Sequence, residues 1–130
     1  MRLAVEVSTC SAERTGIGYY TEHFVDALIA TQSPGDDIVL ISNGKPAPEL
    51  YDRWRDQLRI GGVPVRAIWM QRDVNRLLID NGADFAVFPN YIAPLNVACP
   101  FSISSRFASR CIQIARTGTP PTWSRSRQRS

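Results

Sequence analysis

The chain has 130 residues, 44% of them hydrophobic, which suffices for one packed domain and is too short for two of ordinary size. Its net charge of +3 conceals an asymmetry: residues 1–100 carry nine basic and all twelve acidic side chains, while residues 101–130 carry six Arg and no acid. The basic balance therefore belongs to the tail and does not mark the folded part as a nucleic-acid binder.

The three cysteines, Cys10, Cys99 and Cys111, are odd in number and widely spaced, which argues against a disulfide framework and against a zinc site. No run reaches the roughly 20 apolar residues of a membrane span. The opening Met1–Val7 is too short and too interrupted for a secretory leader. The expected setting is the reducing cytoplasm, including the inner face of the membrane, with no integral membrane segment.

Residues 2–8 read as a buried strand with Leu3, Val5 and Val7 on one face and Ala4 on the other. A polar loop, Ser8 to Arg14, leads through Thr15-Gly16-Ile17-Gly18 into an amphipathic helix over about 18–31. Its apolar stripe is expected to be Tyr20, Phe24, Ala27 and Leu28, with Glu22 and Asp26 off it. Ser33-Pro34-Gly35 stops the helix. Asp37 to Ser42, with the continuous apolar run Ile38-Val39-Leu40-Ile41, has the pattern of a strand covered on both faces, closed by Asn43-Gly44.

A second helix is expected over 48–58, from Leu50, Trp54 and Leu58 at i, i+4, i+8, broken by Gly61-Gly62. A third strand is expected over 63–70, a short helix over 73–81 with Val74, Leu77 and Leu78 inward, and a fourth strand over 83–88. Residues 100–103 could open another strand. This alternation predicts an α/β fold, a Rossmann-like doubly wound parallel sheet built from right-handed βαβ units. From about Phe101 onward the acids and the periodicity vanish, and Ser and Arg dominate to Ser130, a composition that predicts disorder.

In such sheets ligands bind beyond the carboxyl ends of the strands, where glycines let backbone amides approach an anion and a helix N-terminus adds partial positive charge. Gly16 and Gly18 sit where that loop belongs, although a short Gly-x-Gly also merely relaxes a tight turn. A dinucleotide site fits poorly: the third small residue of G-x-G-x-x-G falls at Thr21, and the second strand ends Ser42-Asn43-Gly44 without a ribose-binding acid.

The string Glu13-Arg14-Thr15-Gly16-Ile17-Gly18-Tyr19-Tyr20-Thr21, with Glu6-Val7-Ser8 before it and Ala27-Leu28 after it, resembles the opening of family 4 glycosyltransferases of the GT-B type, whose loop reads R-T-G-I-G-R-Y-T. Ala83-Asp84-Phe85-Ala86-Val87-Phe88-Pro89-Asn90-Tyr91 is similar to that family's A-D-V-F-H-x-P-N-Y segment. The resemblance covers residues 1 to about 100, and Tyr19 stands where Arg is commoner. It implies an incomplete GT-B N-terminal, acceptor-side domain over 1–100. Such an enzyme transfers a sugar from a nucleotide-sugar donor to a glycan or lipid-linked acceptor, with the nucleotide-sugar as co-substrate and no metal or other cofactor.

The resemblance places Thr15, Gly16, Ile17 and Gly18 beside the donor phosphates, and Asn90 and Tyr91 on the acceptor side of the cleft. It singles out no catalytic residue. The family's following V-T-I-H-D strand is absent, as is its donor-binding C-terminal domain, so a lone domain is expected to be inactive. Codons shifted by two bases across Arg110–Ser124 can spell a string similar to the family's continuation, which implies that residues 101–130 are an out-of-frame tail. The alternatives are a small Rossmann-like binding protein whose basic tail recruits a nucleic acid or an acidic partner, and a non-functional remnant.

Of the remaining residues, His23 reads as a surface or half-buried side chain and Trp54 as a core contact. Trp69 and Met70 read as packing residues that could otherwise stack on a sugar. Nothing in the sequence around Cys10 makes it a nucleophile.

Overall fold

A computed structural model describes residues 1–90 and 92–103. Five strands, β1 (Arg2–Glu6), β2 (Asp37–Asn43), β3 (Leu58–Gly61), β4 (Phe85–Val87) and β5 (Phe101–Ser102), form one sheet in the order β3-β2-β1-β4-β5. Every pairing is parallel, with Val5 facing Leu40 on one side and Val87 on the other. The sheet with its helices is a Rossmann-like α/β fold. The expected disordered tail lies outside the described residues, apart from the short β5 and Ile103.

The side-chain period of two divides the strands between two cores. Leu3, Val5, Val7, Ile38, Leu40, Phe85 and Val87 pack on one face, against helices α1 (Gly16–Thr31) and α2 (Pro48–Arg53). Ala4, Val39, Ile41, Ala86 and Phe88 pack on the other. That second face is covered by a continuous helical stretch of three parts: α3 (Arg66–Ile68), a π-helical turn (Trp69–Asp73) and α4 (Val74–Asp80). It contributes Trp69, Met70, Val74 and Leu78. Coverage of both faces is why β2 reads as an unbroken apolar run.

The structure corrects three expectations. Helix α2 ends at Arg53, and Leu58 belongs to β3 rather than to a third helical turn. Leu50, Trp54 and Leu58 are all buried, so the spacing found core residues but assigned Leu58 to the wrong element. The strand expected over 63–70 is instead a loop followed by helix. Asn43 accounts for part of this: its side chain accepts from the Val63 amide and donates to the Val63 carbonyl, both at 3.0 Å, and so takes both backbone groups out of any ladder. Pro64 has no N–H to offer one.

The third correction concerns α1, whose buried face is Gly18, Thr21, Glu22 and Val25, with Phe24 and Leu28 only partly buried. Tyr20 is 54% exposed and Ala27 is exposed. Two contacts set this rotation. Gly18 presses against the backbone of Thr9. Glu22 and Asp26 face inward because they meet cations there: Arg14 Nε lies 3.3 Å from Glu22, and Arg53 Nη1 lies 3.4 Å from Glu22 and 2.6 Å from Asp26. Trp54 Nε1 also donates to Asp26 at 2.9 Å. A polar network docks α1 onto α2 where the apolar stripe was expected to.

Candidate functional site

Because all five strands run the same way, their carboxyl ends meet along one edge of the sheet. The crossover direction reverses at β1, which has β2 on one side and β4 on the other. That reversal opens a crevice between the loops after β1 and β4, the usual ligand position in an open α/β sheet. A cleft of ≈ 230 Å³ lies there, lined by Glu6, Ser8 and Thr9 after β1, Asn43 at the end of β2, and Asn90 and Ile92 after β4. Pro64, Arg66, Trp69 and Met70 complete its lining.

Glu6 is the last residue of β1 and only 5% exposed. It receives the Ser8 backbone N–H on Oε1 at 3.1 Å. Burial pushes its carboxyl above the ordinary range, against smaller opposing effects from Ser8, Trp69 and the Arg66 charge. Ser8 also accepts from the Asn43 amide at 2.9 Å, which ties the β1 and β2 ends together.

Trp69 opens the π-helical turn, a rare form often found at functional positions. Its ring closes over Gly61, where an added Cβ would sit 2.3 Å from the indole. The indole is 1% exposed, and its Nε1 lies against the Glu6 carboxyl, favouring its ionised form from outside strict hydrogen-bond geometry. The exposed Arg66 guanidinium acts on Glu6 through its charge and makes no ion pair or hydrogen bond among the described residues, and neither does the half-buried Asn90 carboxamide.

The glycine loop adjoins this cleft without lining it. Thr15 is the N-cap of α1, in extended conformation and with no side-chain capping bond, so the first-turn amides of Gly16, Ile17 and Gly18 have no intrahelical acceptor. Thr15, Gly16 and Ile17 are exposed, and Gly16 faces open space. Gly18 is buried: an added Cβ would stand 2.4 Å from the Thr9 carbonyl oxygen and 2.5 Å from the Arg14 Cβ. Thr9 thus links the two features, packing on Gly18 with its backbone and lining the cleft.

Arg14 is committed elsewhere, to Glu22, to Glu49 at 2.8 Å and to the Tyr19 ring at 4.7 Å. Asn90 lines the cleft, and Tyr91 lies outside the described residues. Cys10 is buried, its thiol pushed up to about 12, first by desolvation and then by Glu22 and Glu6; it is no nucleophile at neutral pH.

Sequence reasoning passed over Glu6, Trp69 Nε1 and Arg66. The available signal was Glu6 itself, a charged residue closing an otherwise buried strand. Among the described residues no group of three His, Cys, Asp or Glu is placed to hold a metal ion, and no helix is long and apolar enough to cross a membrane. Comparison with protein-family models, curated proteins and solved structures finds no match to the chain.

Proposed function

We propose that residues 1–100 are the acceptor-side domain of a GT-B type glycosyltransferase similar to family 4 enzymes. The observation that carries the reading is a ligand-sized cleft at the crossover reversal of a parallel sheet, joined through Thr9 to a helix start whose first amides lack intrahelical acceptors. The Arg14-Thr15-Gly16-Ile17-Gly18 string at that helix start supports it. In this reading the amides at Gly16 and Ile17 face the donor diphosphate, and the cleft bearing Asn90 receives the acceptor.

The chemistry needs no covalent protein nucleophile. A sugar leaves its nucleoside diphosphate as negative charge grows on the phosphate, and oriented amides with a helix dipole stabilise that charge. In such enzymes the greater part of the donor site belongs to a second domain, outside the part that residues 1–100 resemble. The test is a transfer assay with several nucleotide-sugars and mixed acceptors. The chain is assayed alone and joined to the donor-binding half of a family 4 enzyme. Transfer is expected only from the joined protein. Robust turnover by the chain alone, or none from any joined form that folds, overturns the reading.

A further inference from the structure

Among the described residues only two charged side chains line the cleft, Glu6 and Arg66, and they are opposite in sign. They differ in freedom. Glu6 is fixed at the end of β1, 5% exposed, with the Ser8 amide on one oxygen and the Trp69 indole against it. Arg66 is exposed and opens α3, a helix with no buried residue. Neither core holds the Arg66 side chain in place, yet its charge already acts on Glu6.

That difference matters when Glu6 ionises. Burial penalises the carboxylate, and an uncompensated charge in the interior is costly. Ser8 and Trp69 are already in position, so their help cannot grow. The other elements around the carboxyl bring no further cation to the cleft. Cys10, in the loop after β1, feels Glu6 but stays a neutral thiol, titrating near 12. Beyond it, Glu22 of α1 is paired with Arg14 and Arg53. In the π-helical turn, Asp73 is paired with Arg72 and Arg76. The end of β2 and the loop after β4 bring the neutral Asn43 and Asn90. Arg66 alone can answer the new charge by moving, on a long and flexible stem.

We propose that Glu6 and Arg66 form a pH-operated gate: with Glu6 protonated Arg66 stays outside and the cleft is open, and when Glu6 ionises the guanidinium folds into the cleft onto the carboxylate. The open form has Arg66 exposed, as in the structure. In the closed form the guanidinium takes part of the ≈ 230 Å³ that a ligand would occupy, so a ligand has to displace it. Arg keeps its charge at every working pH, so the Glu6 proton alone sets the gate. Burial raises the Glu6 pKa above 4.5; the gate is therefore open below that value and closes as the pH rises through the folded-state pKa.

The experiment uses the full chain in two ways. First, the nitrogen-15 indole signal of Trp69, assigned by its loss in Trp69→Phe, is followed with pH, since Nε1 lies against Glu6 and reports its charge. Wild type is expected to titrate with a midpoint above 4.5, and Glu6→Gln should abolish that titration. Arg66→Gln, an exposed change, should raise the midpoint by about one unit, the scale of a nearby opposite charge, and Arg66→Lys should restore part of that shift. Second, Arg66 is modified with phenylglyoxal above the midpoint and read by peptide mass spectrometry, with the exposed Arg55 as internal reference. One unit corresponds to a closed form favoured about tenfold, so Arg66 should react about tenfold more slowly in wild type than in Glu6→Gln at the same pH.

Three results each overturn the gate: a Trp69 signal that does not titrate between pH 4.5 and 9, a midpoint unmoved in Arg66→Gln, or equal modification of Arg66 in wild type and Glu6→Gln. Neither readout uses a ligand or transfer activity, so the gate and the proposed function fail separately.

Discussion

Replacing Glu6 by Gln should make the protein more stable at neutral and alkaline pH, by an amount that shrinks as the pH falls. Glu6 is only 5% exposed, and its burial raises the pKa above the ordinary value of 4.5. The folded state therefore holds the Glu6 proton more tightly than the unfolded chain does. Stability linked to that proton is fully present below pH 4.5 and is lost as the pH rises through the higher folded-state value. Each unit of separation between the two pKa values is worth about 1.4 kcal/mol. Gln keeps the shape and the acceptor for the Ser8 amide but never ionises. A gain of about 1–3 kcal/mol is expected at pH 8, the scale of an incompletely compensated buried polar group, with little difference at pH 4.

Urea melts of both proteins at half-unit steps from pH 4 to 8 measure it, and the difference between the two cancels every other titrating group. A difference that does not vary with pH, or that favours wild type increasingly as the pH rises, would refute the argument that burial controls this carboxyl.

Gly18→Ala should unfold the protein at lower urea than wild type, because its Cβ meets Thr9 backbone at 2.4 Å, whereas Gly16→Ala has open space and should stay within about 1 kcal/mol of wild type. Equal effects at the two sites would contradict the packing described. Trp54→Ala, which empties a fully buried site between α1 and α2 and removes the bond to Asp26, should cost about 3–5 kcal/mol in the same melts. Alkylation at pH 8 followed by peptide mass spectrometry should label the partly exposed Cys99 before Cys10, whose thiol titrates near 12; first labelling at Cys10 would show that β1 and α1 open more readily than their packing allows.

The sheet was legible because its strands obey simple periods. β1 alternates and β2 is a bare apolar run, and both were found to within two residues. β3 was misplaced because Leu58 continues the helical spacing of Leu50 and Trp54 across a turn that only tertiary structure creates. The inward face of α1 was missed for an electrostatic reason. Glu22 and Asp26 read as solvent-facing until Arg14, from the preceding loop, and Arg53, on another helix, are brought against them. The cleft was half legible: Asn90 was named, but Glu6 meets Arg66 and Trp69 only through the topology, from 60 or more positions away in the chain.

The two loop glycines divide their work in a way that sequence alone conflates. Gly18 exists to let α1 start hard against Thr9, since no Cβ fits there. That is a packing requirement, and it would hold with no ligand at all. Gly16 meets nothing within 4 Å, so packing gives it no reason to be glycine. In a helix interior glycine is a weak former, so an exposed first-turn glycine with clear space around it is what close approach by a ligand to the backbone would need. The proposed phosphate-facing role therefore rests on Gly16 and on the amides beside it. Gly18 serves it indirectly, by fixing where the helix points. A bulky but helix-compatible residue at position 16, such as Gly16→Leu, should then leave the melt near wild type and abolish transfer in the joined enzyme. Retention of transfer by that variant would mean the open space at Gly16 has no ligand to admit.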